Sequence, residues 1–186
     1  MAQTRELEGL RVAVLATEGF EQAELLEPVK ALKAAGATTT VVSPEKGTIQ
    51  GFVHHDKGET VEVDRELALA KPGDFDALLM PGGALNADQL RTVPAAVAFA
   101  KAFFDENKPV AAICHAAWTL VESGAVRGRT LTSWPSIKTD IENAGGKWVN
   151  KDVNVDGSFV TSRKPDDIPA FNEQMISVFG SQVPAR

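Results

Sequence analysis

Apolar runs and polar breaks divide the chain into short alternating units. Arg11-Val12-Ala13-Val14-Leu15-Ala16 is nearly continuous in apolar residues and predicts a buried strand. A polar turn follows, then a helix from about Gln22 to Ala35 with Gly36 as its C-terminal cap. Thr38 to Val42 predicts the next strand, stopped by Ser43-Pro44, so the chain opens with a β-α-β unit. Between Gly47 and Val63 the alternation shortens to Thr48-Ile49-Gln50 and Glu59-Thr60-Val61-Glu62-Val63, which predicts a hairpin-like excursion outside the main sheet. Ala77-Leu78-Leu79-Met80 is a third buried strand, ended by Pro81-Gly82-Gly83. Pro94 to Glu106 predicts a helix with Pro94 in its first turn, Val110 to Ile113 a fourth strand, and Ala116 to Glu122 a helix straight after it. A short strand at Arg129 to Thr132, a helix near Ile137 to Ala144 and a hairpin from Val153 to Thr161 turned at Asp156-Gly157 follow. The last element reads as a helix capped by Asp166 or Asp167, with Pro169 at its start.

Strands alternating with helices, each strand almost uniformly apolar, indicate an α/β fold: a mostly parallel sheet covered on both faces. Such sheets bind ligands outside the carboxyl ends of their strands. Three loops converge there, Thr17 to Glu24, Pro81 to Asp88 and Cys114 to Ala117. Composition narrows the partners. A chain of 186 residues fits one domain over residues 1–186, able to bury roughly 70% of its unfolded surface. A net charge of -6 and a pI near 5.1 argue against nucleic acid as a simple electrostatic partner. One cysteine forms no internal disulfide, which points to a reducing compartment. Met1 to Leu10 lack the apolar core of a secretory signal, and no apolar run reaches the roughly 18 residues that a bilayer span requires. The expectation is a cytoplasmic, soluble protein without a membrane partner.

The candidate chemistry centres on Cys114, at the strand-to-helix turn in Val110-Ala111-Ala112-Ile113-Cys114-His115-Ala116. Free cysteine often behaves as a small buried hydrophobe. At such a turn, however, the side chain points outward, near helix N-terminal amides whose dipole favours a thiolate. Pro81-Gly82-Gly83 is either a plain turn needing positive φ or, if it approaches Cys114, a source of backbone donors. In the second case the amides of Gly83 and His115 form an oxyanion hole. Glu18, Glu21 and Glu24 complement a helix dipole. Glu24, followed by Leu25-Leu26, also fits a partly buried face beside the thiol, where a carboxyl holds its proton and can shuttle it. No histidine follows His115, so a triad with a later histidine has no base, and His115 itself is the candidate. His54 and His55 lack a metal-binding pattern and read as a solvated loop; neither a metal nor a cofactor is expected.

Several motifs in one order carry a family resemblance over almost the whole chain. They are Phe20-Glu21-Gln22-Ala23-Glu24-Leu25, Gly47-Thr48-Ile49, Phe75 through Gly83, Lys108 through His115, Thr132-Ser133-Trp134-Pro135, Asn143-Ala144-Gly145-Gly146, and Asp156-Gly157 with Thr161-Ser162-Arg163. Together they resemble the PfpI/ThiJ family, the intracellular cysteine peptidase and stress-protein branch of the superfamily that holds the human parkinsonism-associated protein. The resemblance implies a flavodoxin-like three-layer sandwich in which Cys114 is a strained nucleophile at an elbow. It also implies that Glu24 is a protonated acid on the sulfur and that Gly83 and His115 donate to the oxyanion, with Gly82 beside them. In the peptidase branch an acid from a neighbouring subunit orients the histidine, and Asp88 matches that acid with a one-residue shift. Where family peptidases often read Cys-His-Gly, this chain has Ala116, and Trp118 adds bulk near the pocket. Small aldehydes are favoured over large peptides.

Three readings follow. The first is a cofactor-independent enzyme acting on reactive dicarbonyls or their adducts, of the glyoxalase or deglycase type. The second is a peptidase using Cys114, His115 and a neighbour's Asp88, which requires a homo-oligomer, a dimer by default or a hexamer. The third is a redox-responsive stress protein or chaperone in which Cys114 is oxidised and Glu24 hydrogen-bonds the product.

Overall fold

Alternate residues of the first strand enter different cores, and this is what makes the molecule a sandwich. The computed structural model describes residues 6–182; residues 1–5, part of the segment read above as lacking a signal, lie outside it, as do residues 183–186. In chain order the elements are β1 Arg11–Leu15, β2 Phe20–Glu21, α1 Gln22–Ala34, β3 Thr38–Ser43, β4 Thr48–Val53, β5 Asp56–Glu62 and β6 Arg65–Glu66. Next come β7 Ala77–Met80, α2 Ala84–Arg91, α3 Pro94–Asp105, β8 Val110–Ile113, α4 Ala117–Ser123 and β9 Thr130–Leu131. The chain continues through α5 Lys138–Asn143, β10 Lys147–Trp148, β11 Val153–Asp156, β12 Phe159–Ser162 and α6 Ile168–Gly180. Val12 and Val14 of β1 pack with Leu25, Leu32, Phe171 and Phe179 of α1 and α6. Ala13 and Leu15 pack with Phe99, Phe103, Leu120 and Ile141 of α3, α4 and α5. Side chains on a strand alternate between faces, so four consecutive residues of β1, Val12 to Leu15, serve both cores.

The main sheet has seven strands in the order β11-β12-β8-β7-β1-β3-β6, parallel throughout except for the β11–β12 pair. The fold is the expected flavodoxin-like α/β sandwich. After β1 the chain moves out through β3 to β6, then returns to β7 on the other side of β1. The strand ends at this reversal of order, β1 and β7, open a crevice, with β8 on the far side of β7. Gly36 takes φ 101 after α1, with Gly36 N–H on the Lys33 carbonyl and Ala37 N–H on that of Leu32, a Schellman ending.

Four elements depart from the sequence reading. Ala84–Arg91, most of it within the Pro81 to Asp88 loop, is helix α2, with Leu85 exposed and Asn86 buried. That inside-out pattern hides the helix from any search for an apolar face. The hairpin is longer than its alternating pieces, and β4 pairs with β2 as well as β5, giving a separate three-stranded sheet. Within Arg129 to Thr132, β9 pairs only with β10, apart from the main sheet. Asp167 stands at the N-cap position of α6, as expected, but its side chain makes no cap hydrogen bond: it accepts the Arg163 backbone amide and guanidinium at 2.9 to 3.1 Å, and Asp166 lies exposed near Lys164. Among the described residues no helix is long and apolar enough to cross a membrane.

Candidate active site

Parallel pairing of Met80 with Ala112 brings the ends of β7 and β8 side by side, so the next residues, Pro81-Gly82 and Ile113-Cys114, continue in contact. A Cβ on Gly82 would overlap the Glu24 carboxyl, the Cys114 Cβ and the Ile113 carbonyl, so only glycine fits. Cys114 ends its strand at φ 63, a left-handed conformation that a residue with a Cβ seldom adopts. Holding it there costs about 1–3 kcal/mol, which the surrounding packing supplies. The turn brings adjacent side chains together: Cys114 Sγ lies 3.1 Å from His115 Nδ1.

Two peptide groups aim their N–H at the sulfur, and each is held from behind. The Gly82 carbonyl accepts the Glu21 amide at 3.1 Å and Asn86 Nδ2 at 3.0 Å. Because C=O and N–H point opposite ways in a trans peptide, the Gly83 N–H of the same plane is turned to Cys114. Gly83 has φ 95, and a Cβ there would strike the backbone of Gly19 and Glu21. Likewise the Cys114 carbonyl accepts the Trp134 amide at 3.2 Å, which directs the His115 N–H to the sulfur. Asn86, fully buried on α2, also accepts the Thr17 amide at 2.8 Å and donates to the Pro81 carbonyl at 3.1 Å. One side chain thus ties together the loops that follow β1 and β7.

Glu24 is fully buried on α1, and its Oε2 accepts the Gly82 amide at 2.9 Å. Its Oε1 has no hydrogen-bond partner of ordinary geometry, and the Cys114 sulfur is the side chain that acts on the carboxyl. Burial, helped by the Glu21 charge, pushes Glu24 up to about 8 from its ordinary 4.5, so it is protonated at neutral pH. The sulfur departs from the sequence expectation of a dipole-stabilised thiolate. Cys114 is only 6% exposed, and burial together with the Glu24 charge pushes its thiol well above the ordinary value. The Gly83 and His115 amides pull against that rise. Thiol and carboxyl therefore titrate as a pair, both holding their protons at neutral pH, with the two amides aimed where negative charge develops once the thiol proton leaves. Burial also lowers the pKa of His115, leaving a neutral imidazole able to accept a proton.

A cleft of about 430 Å³ opens over the sulfur. Cys114, His115, Glu24 and Gly83 form its floor. Its walls include residues to which sequence reasoning gave no role there: Trp134, Pro165, and His54 and His55 from the turn between β4 and β5. Trp134 is stacked on His115 with centroids 5.8 Å apart. Trp118, expected near the pocket, is not one of the lining residues. It meets the His115 ring edge-on at 5.1 Å, under the Arg91 guanidinium, and donates Nε1–H to Asp140. Asp88 is exposed on α2, and among the described residues the His115 ring has one side-chain hydrogen-bond partner, the Cys114 sulfur. No group of three or more histidine, cysteine or acidic side chains among the described residues is arranged to hold a metal.

The same arrangement of strand ends and loops is found in known proteins. Residues 10–178 match the family model described as "DJ-1/PfpI family". General stress protein 18 of Bacillus subtilis (strain 168) is 45% identical over 174 residues, covering 91% of this chain and 98% of that protein. A deglycase of Pyrococcus abyssi (strain GE5 / Orsay) is 41% identical over 169 residues, covering 91% and 99%. Among solved structures, a two-domain protein of Anabaena variabilis with DJ-1/ThiJ/PfpI-like and ferritin-like domains superposes with a TM-score of 0.85 at 30% identity. That match covers 95% of this chain, which spans half the length of the two-domain protein. With a family model that spans both layers of helices and every residue of the cleft floor, the chain belongs to the DJ-1/PfpI family.

Proposed function

We propose that this protein is a cofactor-independent enzyme that converts reactive α-oxoaldehydes, free or released from their adducts, to 2-hydroxy acids, with Cys114 as nucleophile. The observation that carries the reading is the ring of groups about one sulfur: two anchored N–H donors, a protonated carboxyl with a free oxygen, and an imidazole at 3.1 Å. The deglycase name of the Pyrococcus abyssi relative agrees with it.

His115 Nδ1 takes the thiol proton and the sulfur adds to the aldehyde carbon. The S–C bond forms, the carbonyl electron pair moves to oxygen, and the Gly83 and His115 amides hold the oxyanion until His115 returns the proton to it. Neutral His115 then takes the hydrogen of that carbon as a proton, while the Glu24 carboxyl protonates the neighbouring ketone oxygen, giving an enediol. Return of the proton from His115 to the second carbon, and of the hydroxyl proton from the first carbon to Glu24, leaves a 2-hydroxy thioester. The first carbon is oxidised by two electrons and the second is reduced by two. Water adds to the thioester, the C–S bond breaks, and the thiol is restored. Dicarbonyl and water thereby become a 2-hydroxy acid without an external oxidant.

The test is steady-state conversion of methylglyoxal to lactate in a thiol-free buffer. We expect Cys114→Ala to lose at least about 10³-fold in kcat, the scale of a removed catalytic group, and Glu24→Gln about 10²-fold. Lactate production that survives Cys114→Ala would overturn the mechanism. A peptidase reading needs a third group to orient His115, and that places Asp88 of a second copy beside the ring in a homodimer or hexamer. Casein cleavage confined to oligomeric fractions, and lost in Asp88→Asn, would favour it.

A further inference from the structure

The turn between β4 and β5 carries an imidazole where a two-residue hairpin turn ordinarily takes glycine or asparagine. Val53 pairs with Asp56, leaving His54 and His55 as the two turn residues, and His54 takes φ 57. A turn with no further duty would relax with glycine. The tip is also held in place. The Glu21 carboxylate accepts the His54 amide at 3.2 and 3.4 Å, Glu18 accepts the Gln50 amide at 2.7 Å, and Gln22 accepts the Glu59 amide at 2.6 Å. These three anchors come from the segment that leads into Glu24. Strain and anchorage together hold His54 and His55 against the cleft that Cys114 floors.

The size of the cleft says what they face. Methylglyoxal has five non-hydrogen atoms; even at the ~30 Å³ that each water occupies in the liquid, they would fill about a third of 430 Å³. Beside Ala84, Trp134 and Pro165, the lining includes His54, His55 and Glu21, groups that hydrogen-bond, and neither lysine nor arginine lines it. An imidazole both donates and accepts, as a hydroxyl does, whereas an anionic substrate would meet the Glu21 carboxylate without a cation to offset it.

We infer that the His54–His55 tip is the substrate-selecting wall of the cleft, and that it takes α-oxoaldehydes bearing hydroxyl groups beyond the dicarbonyl, such as a six-carbon 3-deoxyosone. The inference rests on the dicarbonyl reading above and names its substrate class. The probes are 3-deoxyglucosone and methylglyoxal, with turnover measured alongside the rate at which iodoacetamide alkylates Cys114 in the presence and absence of 3-deoxyglucosone. The variants are His54→Gly, which suits the turn's φ and so preserves the hairpin, His55→Ala, their combination, and His54→Asn, which keeps both the φ and the polar groups. In the double variant, selectivity for 3-deoxyglucosone over methylglyoxal falls about tenfold, the scale of one lost hydrogen bond, and protection of Cys114 falls with it; His54→Asn restores most of both. Unchanged selectivity in the double variant overturns the wall and leaves the dicarbonyl reading standing. If the wild type turns over neither compound but 3-deoxyglucosone protects Cys114 and the double variant loses that protection, the wall stands and the dicarbonyl reading falls. Neither turnover nor protection in the wild type overturns both.

Discussion

The two sheets that meet at the cleft are built in opposite ways. The eight residues of β7 and β8, which lead into Gly82 and Cys114, are all buried. Strand β5, half of the hairpin that carries His54 and His55, has no buried residue. The main sheet is positioned by apolar burial on both faces, at about 1.5–3 kcal/mol for each large side chain. The hairpin is positioned by three carboxylate or amide side chains on backbone N–H groups, each contributing about 1 kcal/mol. Groups that must meet one sulfur within tenths of an ångström stand on the first kind of support. The histidine tip stands on the second, where local opening costs less than global unfolding.

The comparison can be broken most forcefully through Glu24, whose buried carboxyl the main sheet must accommodate. Its folded pKa of about 8 lies above its ordinary 4.5. Below 4.5 both folded and unfolded chains hold the proton; as pH rises from 4.5 to about 8 the unfolded chain ionises first, and folding loses on the order of 5 kcal/mol. Urea melts at pH 5 and pH 8 should therefore differ far more for the wild type than for Glu24→Gln. Equal differences would mean that the site relaxes to solvate the carboxylate.

Asn86→Leu comes next. It keeps the volume near that of the amide but leaves the Thr17 N–H and the Pro81 carbonyl unpaired, and frees one side of the Gly82 peptide. A loss of about 2–4 kcal/mol in stability is expected from thermal melts. The loosened Gly83 donor should also lower kcat for methylglyoxal by about 10–100-fold, with a smaller change in KM. The smallest effect sharpens the comparison: Gln22→Ala removes one anchor of the hairpin and should lower global stability by about 1 kcal/mol or less. Amide hydrogen exchange should rise in β4 and β5 while β7 and β8 remain protected. Uniform acceleration across both sheets would show that they open as one unit.

The same contrast decides how much could be read from the chain. The strands of the main sheet were legible because Val12 to Leu15, Ala77 to Met80 and Val110 to Ile113 are apolar on both faces, and a continuous run needs no partner to be recognised. Gly36 and Gly157 were legible as chain reversals, and both have positive φ. Helix α2 was hidden because one of its buried positions is the polar Asn86, which pairs with backbone groups of Thr17 and Pro81, while Leu85 is exposed. Asp167 was legible as the N-cap position of α6, but not the bonding of its carboxylate, because Arg163, four residues earlier, offers a fork of charged donors that a helix end cannot match. In the site, Gly83, Cys114 and His115 follow strand ends that the sheet order forces together, and Glu24 reaches them from the first turn of α1. Trp134 and the histidine tip arrive on long excursions, where no periodicity tells which way a side chain turns. Trp118 and Trp134 are equally plausible from sequence, and only the fold assigns one to the cleft and the other to Asp140.

The left-handed backbone of Cys114 also bears on how this scaffold would respond to selection. Glycine accepts φ 63 freely, and its introduction would remove a buried sulfur crowded against a carboxyl. A library screened only for heat tolerance should therefore enrich Cys114→Gly among its earliest survivors, delivering hardier molecules that have lost the candidate nucleophile. Engineering campaigns on this protein need a readout of the thiol beside every melting curve.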